Sequence, residues 1–487
     1  MDSTGTLSSL SISEDGEYAA QLNGKDLTIH LNPTLPEFQD VNIVKVKESA
    51  SKFLKFSRPN SPSSVLSNKD DTVSDRRILW ASDTRILVWQ LNPLQLHAEI
   101  ESVEPGATNI DFGGDQNEII VFHAWNTKLT VFGMDTGRSQ VVKTPKFSHS
   151  NGFGYRPNKR QFAILLKPDA ADLLTIHEFR SYALIGRAVL PTVDAQGLKW
   201  SPDGRWIAVW DAASTGTKVL IFTADGQLFR TYTGLPDSDP VFDLGVKGVE
   251  WSPLDGRTGK SELLAVAMVD GNVDLLKTNT VSVPPDDSLT RLTNQFTCSV
   301  SLSHMFNIDN SPSIWRERCI DGRIEYAEAS GSSAFSTTEA SGPPRGLSIM
   351  TFSPDASLLA TVDQTRPNIV WIWTLKSRPN LISALVNEHA VRQIIWHLSN
   401  TELLLTTANN VVAAVRYWAP DCEPKIIQIP IPQSETGRYD IRWVVSDQSD
   451  HSKFWFGTSE DYAVGSLSAE DGIPHFEVVN SLSTKTL

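Results

Sequence analysis

Cysteine and positive charge are both scarce in this sequence of 487 residues. The three cysteines, Cys298, Cys319 and Cys422, include no Cys-x-x-Cys pair, so the sequence indicates neither a zinc site nor a disulfide framework. Lysine and arginine number 43 against 57 aspartates and glutamates, which leaves a net charge of -14. Sequence-independent binding to nucleic acid or to an anionic membrane depends on basic residues, so we expect neither partner.

Segments and motifs typical of membrane proteins and of common enzymes are also missing. The first residues lack the basic and apolar regions of a signal peptide, and no apolar run is long enough to span a bilayer. The sequence contains no Gly-x-Ser-x-Gly elbow, no His-Glu-x-x-His motif and no P-loop. We therefore predict no catalytic residue, no cofactor and no metal ligand, and we expect that the protein is not an enzyme.

What the sequence does contain is a repeat, which is clearest between Gly197 and Leu276. In Gly197–Asp211 a short strand ends in Trp-Ser-Pro-Asp-Gly and a strongly apolar run follows; Gly248–Gly271 nearly repeats this pattern. Proline presets the first corner of a turn, Asp and Gly suit its later corners, and the apolar run has the length of a buried strand. Repeated units of three or four strands predict an all-β fold, the β-propeller.

Nine windows carry the repeat, with starts near residues 10, 53, 110, 153, 198, 249, 349, 394 and 441. The intervals are about 43 to 57 residues, apart from one of about 100, whereas a propeller blade usually takes about 40–45 residues. We predict seven to nine degenerate blades in one chain-long assembly, and two separate propellers remain an alternative. Propellers typically have four to eight blades.

The long interval divides the predicted blades into two groups, 1–277 and 346–487. The segment between them, 278–345, is rich in Ser, Asp and Pro, and we predict a largely flexible insertion with room for an outer strand at Arg323–Ala327. A second polar stretch, 58–76, is predicted to be a flexible surface loop within the first group.

The Trp-Ser-Pro-Asp-Gly turns and the strand ends at Trp89 and Trp373 resemble WD repeats. His389 precedes Trp396 where such repeats often carry Gly-His, although Glu388 replaces the glycine here. The resemblance implies a buried hydrogen-bond chain of His, Ser or Thr, Asp and Trp in each intact repeat. The dipeptides Trp89-Gln90 and Trp373-Thr374 depart from Trp-Asp, so few blades are expected to carry the full chain.

A narrower resemblance is to the WD-repeat protein 8 family, and it points to a fungal member. The strings that carry it are Gly197–Asp211, Thr223–Tyr232, Leu244–Pro253, Phe352–Thr361 and Arg366–Trp373. It implies a non-enzymatic scaffold of the cytoplasm and cytoskeleton, at the spindle pole body or another microtubule-organising centre. There it would bind a coiled-coil anchoring protein and, with a minus-end-directed kinesin, hold the minus ends of spindle microtubules. A propeller scaffold in translation initiation, or a ubiquitin-ligase substrate adaptor, stays open as an alternative.

Candidate functional residues follow from exposed segments of the best-matched blades and from the two polar stretches. The predicted protein contacts are Arg230, Tyr232, Lys247, Arg366 and Asn368 on connecting segments, and Trp315 in the insertion. The predicted phosphorylation sites are Ser61 and Ser311, each of which precedes a proline.

Two further residue sets look functional but occupy repeated positions. Four aspartates follow apolar strands, and we interpret them as turn caps rather than as acid–base catalysts: Asp83, Asp211, Asp270 and Asp363. Most of the 14 tryptophans also lie at repeat positions. We expect them in blade cores or at the seams between blades rather than at ligand sites.

Overall fold

The described parts of the chain consist almost entirely of β-strands. The computed structural model describes residues 10–31, 41–46, 51–58, 76–101, 103–234, 243–283, 291–302, 312–320, 323–329, 345–376, 379–409, 412–431, 438–444, 452–458, 461–470 and 473–483. These residues form nine sheets and two short 3₁₀ turns, Ala124–Asn126 and Ala213–Thr215. Within the same ranges, no helix has the length and apolar character needed to cross a membrane.

Eight of the nine sheets are built from four strands that are consecutive in sequence and lie side by side in the same order. The strands of sheets 1 to 3 are β1 (Leu10–Ile12), β2 (Tyr18–Asn23), β3 (Asp26–Leu31) and β4 (Val41–Lys45); β5 (Phe53–Phe56), β6 (Arg77–Ala81), β7 (Ile86–Leu91) and β8 (Leu94–Ile100); and β9 (Asn109–Phe112), β10 (Glu118–Phe122), β11 (Lys128–Gly133) and β12 (Arg138–Lys143). Those of sheets 4 to 6 are β13 (Phe153–Tyr155), β14 (Phe162–Leu166), β15 (Leu173–His177) and β16 (Leu184–Val189); β17 (Gly197–Trp200), β18 (Trp206–Trp210), β19 (Val219–Thr223) and β20 (Leu228–Tyr232); and β21 (Val246–Trp251), β22 (Leu263–Met268), β23 (Val273–Val283) and β24 (Arg291–Leu302).

Sheet 7 has six strands, because a hairpin joins the outer edge of its four-stranded core. The hairpin is β25 (Ser313–Ile320) and β26 (Arg323–Glu328), and the core is β27 (Leu347–Phe352), β28 (Leu358–Asp363), β29 (Ile369–Thr374) and β30 (Asn380–Val386). Sheet 8 contains β31 (Val391–Trp396), β32 (Leu403–Thr407), β33 (Ala414–Ala419) and β34 (Cys422–Gln428), and sheet 9 contains β35 (Asp440–Val444), β36 (Ser452–Gly457), β37 (Asp461–Glu470) and β38 (Ile473–Ser483). The nine sheets begin close to the nine predicted windows, so the propeller prediction is confirmed.

Nine clusters of buried apolar side chains join the sheets into one closed ring. Each cluster draws its residues from two consecutive sheets, and the ninth joins sheet 9 back to sheet 1. The alternative of two propellers was therefore wrong. The sheets are the nine blades of one ring, and the first strand of each blade lies innermost, beside the first strand of the next.

The second strand of a blade explains why the apolar runs in the sequence are continuous rather than alternating. In β18, Trp206, Ala208 and Trp210 face the seam with blade 6, whereas Ile207 and Val209 face the seam with blade 4. All five residues are buried. A strand that is covered on both faces has no solvent side, so its sequence shows no period of two.

The Ser-Pro-Asp turns are held by the same short hydrogen bonds wherever the motif is complete. In blade 5, the Ser201 hydroxyl donates to Asp203 Oδ1 at 2.6 Å and accepts the Trp206 N–H at 3.0 Å. Ser353 makes equivalent bonds in blade 7, and Ser13 makes them in the related Ser-Glu-Asp turn of blade 1. These side chains satisfy backbone and carboxylate groups in the turn between the first and second strands, which explains why the motif recurs.

Tryptophans at the ends of three inner strands connect neighbouring blades. Trp200 Nε1 donates to Gly154 O, Trp251 Nε1 to Lys199 O and Trp396 Nε1 to Thr351 O, each at 3.1 Å. In every case the acceptor carbonyl lies on the inner strand of the preceding blade. The prediction that repeat tryptophans lie at the seams is confirmed for these three residues.

Only fragments of the buried WD-repeat hydrogen-bond chain occur among the described residues. In blade 7, Trp373 Nε1 donates to Thr361 Oγ1 at 3.1 Å. In blades 3 and 4, His123 and His177 lie within 2.8 and 3.1 Å of Thr130 Oγ1 and Thr175 Oγ1. This agrees with the degenerate terminal dipeptides in the sequence.

The closing seam between blades 9 and 1 depends on packing rather than on exchange of strands. The described strands of blade 1 are all N-terminal and those of blade 9 are all C-terminal. Arg442 Nη1 donates to the carbonyls of Ile12 and Ser13 at 2.6 and 3.1 Å. Gly16 has a φ of +73°, and a Cβ there would lie 2.9 Å from Val444 Cγ2, so this turn needs glycine for both its conformation and its space.

The segment 278–345, which we predicted to be a largely flexible insertion, contains strands where it is described. β23 and β24 extend into it, and the predicted outer strand at Arg323–Ala327 is part of β26. β25 pairs in parallel with β30, which places the hairpin at the outer edge of blade 7. The short alternating segments obtain their strand partner from a blade that follows them in the chain, so local composition did not reveal it.

A buried ion pair fixes this hairpin to blade 8. Arg416 Nη2 on β33 lies 2.8 Å from Glu317 Oε1 on β25, and both side chains are almost completely buried. Glu317 Oε2 also accepts the Glu388 N–H at 3.4 Å. Because each charge is removed from water, the loss of one partner leaves the other without compensation.

We expect the substitution Trp251→Phe to lower the free energy of unfolding by about 2 kcal/mol, because Lys199 O loses its donor inside a seam. Urea unfolding followed by circular dichroism measures the change. Trp125→Phe is the matched control, since the Trp125 side chain is 94% exposed. Equal stability of the two variants would show that the inner-strand bond contributes nothing.

We expect Arg416→Met to weaken docking of the β25–β26 hairpin by about 3–5 kcal/mol, because Glu317 remains buried without its partner. Amide hydrogen exchange of residues 313–328 measures this as faster exchange. The double variant Arg416→Met with Glu317→Met should restore protection, and Lys425→Met, which breaks an exposed pair in blade 8, should not reduce it. Slow exchange in the single variant would contradict the role assigned to the pair.

Candidate functional site

The antiparallel blades give the ring two faces with different sets of connections. Turns between the first and second strands, and between the third and fourth, lie on one face, here called the AB face. Turns between the second and third strands, and the connections from one blade to the next, lie on the opposite face, here called the BC face. Loops on such rigid scaffolds carry most binding functions, so each face is a candidate site.

Most of the predicted contact residues lie on or near the BC face of blades 5 to 7, although not all are in connections. Arg230 and Tyr232 belong to strand β20, and Lys247 belongs to strand β21. Arg230 and Lys247 are exposed. Tyr232 packs against the seam between blades 5 and 6, and its hydroxyl donates to Asp274 Oδ2 at 2.8 Å. Tyr232 therefore has a structural role whether or not it meets a partner.

Arg366 and Asn368 lie in the turn after β28, as predicted for connecting residues. The Asn368 side chain donates to Asn387 O at 2.7 Å, and the Asn387 side chain donates to Asn368 O at 3.0 Å. This pair closes the turn, so Asn368 is held by blade 7 itself. The side chains of Arg366 and Asn368 are both partly buried.

Trp315 differs from the exposed anchor that we predicted. It lies in β25 opposite Leu385 and packs against the apolar cluster between blades 7 and 8. The parallel pairing of β25 with β30 brings it into that seam. Ser61 and Ser311 lie outside the described residues, so their role in phosphorylation stays a prediction.

The central channel contains charged side chains that sequence reasoning did not bring together. Lys55 Nζ lies 2.7 Å from Asp111 Oδ2, and Lys199 pairs with Glu250. Gln393 exchanges hydrogen bonds with the backbone of Ile441 at 3.0 and 3.1 Å. Each of these interactions joins the inner strands of consecutive blades, so these groups hold the ring together instead of converging on one reacting centre.

The four aspartates mostly behave as the predicted turn caps. Asp211 is fully buried and accepts the N–H groups of Val193, Asp194 and Ala212 at 2.8–3.0 Å. Burial is the largest single influence on the pKa of Asp211 and raises it. The three hydrogen bonds and the nearby Lys218 together outweigh burial, so the pKa of Asp211 is lowered. Asp270 and Asp363 accept the N–H groups of Asn272 and Thr365. Asp83 instead pairs with Lys52.

The described residues contain no group of three or more His, Cys, Asp or Glu side chains that could hold a metal ion. Cys319 and Cys422 are exposed, unpaired thiols.

A cavity of about 880 Å³ opens on the AB face at the channel mouth, and we call it the basic cavity. Its lining comes from the inner strands and the first-to-second turns of blades 1 to 4, from Phe179 between the third and fourth strands of blade 4, and from Arg442 of blade 9. Among the lining residues, six cations face three carboxylates: Lys55, Arg58, Arg156, Lys159, Arg160 and Arg442 against Glu14, Asp111 and Asp115. A local excess of positive charge therefore lies in a protein whose net charge is -14.

Aromatic rings hold several of the arginines near this cavity. The guanidinium of Arg160 lies 5.5 Å from the centre of the Phe179 ring, and that of Arg180 lies 5.3 Å from the same ring. Both also approach Asp115, at 3.4 and 3.5 Å. Arg156 lies over Trp200 at 5.8 Å, and its Nε donates to Gly204 O. Stacking and ion pairing restrict these side chains before any ligand arrives.

Two turns of blade 4 beside the cavity have an unusual backbone. Asn158 and Arg160 in the AB turn have φ values of +64° and +55°. Arg180 and Tyr182, in the neighbouring turn between the third and fourth strands, have φ values of +65° and +50°. Residues other than glycine rarely adopt this conformation, and such strain is concentrated at functional sites.

A buried hydrogen-bond chain supports these turns from below. The Tyr182 hydroxyl donates to Glu118 Oε2 at 2.8 Å and lies 3.0 Å from the Tyr155 hydroxyl. Gly114 N–H donates to the same carboxylate oxygen at 3.1 Å. Burial raises the pKa of Glu118, and the two donors only partly oppose this effect.

A second surface lies at the rim of the ring, on the outer strands of blades 4 and 5. Five side chains there are 39–65% exposed, and we call them the rim patch: Leu184, Ile185, Val189, Leu228 and Phe229. The exposed arginines Arg187 and Arg230 lie on the same two strands. The blades touch here, because a Cβ on Gly186 would lie 2.5 Å from Asp225 O. Exposed apolar groups such as these are typical of interaction surfaces.

The ring of nine blades, its Ser-Pro-Asp turns and its seam tryptophans define a β-propeller with features of WD repeats. No family model matches the chain. The mouse WD repeat-containing protein WRAP73 is 24% identical over 413 residues, which cover 80% of this chain and 84% of the mouse protein. An uncharacterized WD repeat-containing protein of Schizosaccharomyces pombe is 23% identical over 338 residues, 68% of this chain and 63% of that protein. The match thus spans less than two thirds of the yeast relative.

A solved structure with the same architecture is that of a eukaryotic initiation factor. Its TM-score is 0.53 at 10% sequence identity, with 88% of this chain and 89% of that chain covered. At such low identity the likeness shows the fold alone.

We expect the free energy of unfolding of Glu118→Gln, relative to that of the wild type, to increase as the pH rises from 4 to 7. The pKa of Glu118 is raised in the folded protein above its ordinary value of 4.5, so its contribution to stability is greatest below pH 4.5 and declines as the pH rises through the folded-state pKa. A glutamine does not titrate. Urea unfolding of variant and wild type at pH 4, 5.5 and 7 measures the difference.

Glu423→Gln is the control for this pH series, because the Glu423 side chain is 69% exposed. A difference between Glu118→Gln and wild type that stays constant with pH would contradict the raised pKa.

Proposed function

We propose that this protein is a non-enzymatic scaffold of the spindle pole body or centrosome that binds a coiled-coil anchoring protein. In this proposal it resides in the cytoplasm and on the cytoskeleton and helps to anchor the minus ends of spindle microtubules. A minus-end-directed kinesin is a second partner. The proposal combines the resemblance to the WD-repeat protein 8 family with one surface of the ring.

The observation that carries the proposal is the rim patch. A coiled-coil helix presents an apolar stripe flanked by charged side chains, often glutamate. The exposed side chains of Leu184, Ile185 and Leu228 offer apolar surface of matching character, and Arg187 and Arg230 offer cations on the same two strands. An amphipathic helix laid on this surface would bury apolar groups and pair its acidic flanks with arginines. Arg230, one of the predicted contact residues, would then lie at the edge of the interface.

The pole location is supported by the strings that resemble the family. Three of these strings, Gly197–Asp211, Thr223–Tyr232 and Leu244–Pro253, build blades 5 and 6, and the second of them includes Leu228 and Phe229 of the rim patch. The similarity to a mouse WD repeat-containing protein over 84% of that protein's length is consistent with a relative of the same overall architecture.

The absence of an enzyme activity is part of the proposal. Among the described residues, the channel pairs Lys55–Asp111 and Lys199–Glu250 span blade seams, and Asp211 and Asp270 bind backbone N–H groups. A protein-binding platform uses the loops and rim of the ring and needs no reacting centre.

The double variant Leu184→Glu with Leu228→Glu should abolish recovery of the coiled-coil partner, because two carboxylates replace the apolar surface. Affinity purification from dividing cells with mass spectrometry measures recovery, and a fluorescent tag on the protein reports the pole signal. Both the partner and the pole signal should be lost.

The matched control is Ile43→Glu with Val141→Glu. These residues are 62% and 52% exposed on the outer strands of blades 1 and 3, away from the rim patch. Recovery of ribosomal factors or of ubiquitin-ligase subunits with the wild type, in place of a coiled-coil protein, would favour the translation or ligase alternative and refute the pole proposal.

A further inference from the structure

We propose that the basic cavity is a second binding site, which takes an extended acidic peptide segment rich in Asp and Glu. This site lies on the AB face, whereas the rim patch lies on the outer strands, so one propeller would hold two ligands at once. The inference does not depend on the identity of the coiled-coil partner.

The charge of the cavity is the first step in the argument. Its six lining cations face three carboxylates, and two of those carboxylates already belong to ion pairs: Asp111 with Lys55 and Asp115 with Arg160. Lys159 is exposed, and among the described residues no carboxylate lies within ion-pair distance of its ammonium group. Arg58 reaches Glu14 only at 4.0 Å between two exposed side chains. Because these cations have no strong ion pair to break, an added anionic group can form charge-assisted hydrogen bonds with them at little cost.

Arg442 supplies a third available positive charge from blade 9. It donates to the carbonyls of Ile12 and Ser13, and no ion pair joins it to a carboxylate among the described residues. Its charge is therefore oriented by the closing seam. The cations of the cavity thus come from blades 2, 4 and 9 and line one side of the channel mouth.

The size and lining of the cavity favour a peptide over a small anion. Its volume of about 880 Å³ is near the upper end of ligand pockets in proteins. Phe56, Phe112, Tyr155, Pro157 and Phe179 lie among the charged residues of the lining. Apolar groups placed between cations suit a chain that alternates carboxylates with aliphatic carbon, whereas a free phosphate would leave most of the cavity unfilled.

The turns that present these cations are rigid. Arg156 N–H donates to Gln161 O, Arg160 N–H donates to Arg156 O, and both Asn158 and Arg160 are held at positive φ. The Phe179 ring lies against both Arg160 and Arg180. A strained turn that is fixed by its own hydrogen bonds loses little conformational freedom on binding, which favours recognition.

The test uses two fluorescein-labelled peptides, five repeats of Gly-Glu and five repeats of Gly-Gln, with the full-length protein and fluorescence anisotropy. We expect the Glu peptide to bind at least tenfold more tightly than the Gln peptide, with affinity that falls as salt is raised from 50 to 200 mM. The double variant Arg58→Gln with Lys159→Gln should weaken binding of the Glu peptide about fivefold.

The control removes one arginine and one lysine from another AB turn. Arg257 and Lys260 are exposed residues of the corresponding turn in blade 6, outside the cavity lining. Arg257→Gln with Lys260→Gln should leave the affinity unchanged, and thermal unfolding should show that both double variants are folded. A Glu peptide carrying a benzophenone should also crosslink to residues 155–160.

Three results would overturn the inference. The first is no preference for the Glu peptide, and the second is equal weakening by the two double variants, which would indicate a diffuse electrostatic effect. The third is binding of inorganic tripolyphosphate with no binding of the Glu peptide, which would assign the cavity to a small phosphate ligand. None of these results depends on the rim patch, so the proposed scaffold function would stand or fall separately.

Discussion

The packing of apolar side chains between neighbouring blades is the interaction on which the rest of this structure depends. A four-stranded blade has two apolar faces and cannot bury either alone, so each blade is stable only between two others. The second strands meet this condition most strictly: Trp206–Trp210 in blade 5 is buried along its whole length and contributes to two seams. Closure of the ring between Leu10 and Val444 is therefore required for blades 1 and 9 to have two covered faces.

Polar contacts adjust this packing rather than drive it. Nine seams are closed by apolar clusters, and the inner strands add single bonds such as Trp251 Nε1 to Lys199 O or the pair Lys55–Asp111. These bonds occur near the channel, where backbone groups would otherwise lack partners. The Glu317–Arg416 pair has the same character at the outer edge, where it fixes the position of an inserted hairpin. Buried pairs of this kind specify position more than they add stability.

A rigid ring with separate faces can hold several partners without changing shape. The rim patch is apolar with flanking arginines, and the basic cavity is a concave, positively charged mouth on the AB face. Surfaces that differ this much in chemistry select different ligands. A scaffold that joins a helical partner at its rim and an acidic segment at its channel would bring two proteins together at a fixed distance.

The candidate sites show where sequence reasoning reaches its limit. Arg230 was predicted as a contact residue and is exposed next to the rim patch. Leu184 and Ile185 were not predicted, because the sequence of an apolar strand does not show whether its side chains are buried or exposed. The cations of the basic cavity were missed as well. Lys55, Lys159 and Arg442 lie far apart in the chain, and the net negative charge of the protein argued against any basic site.

The sequence by itself determined the all-β class, the position of nine repeats and the seam roles of Trp200, Trp251 and Trp396. These properties are local: a turn motif, an apolar run and a tryptophan recur within each unit of about fifty residues. The tertiary structure alone decided that nine blades close into one ring, that residues 313–328 extend blade 7, and that Arg442 meets Ile12. These outcomes depend on contacts between residues as many as 430 positions apart, and no local pattern specifies which distant surface a side chain will meet.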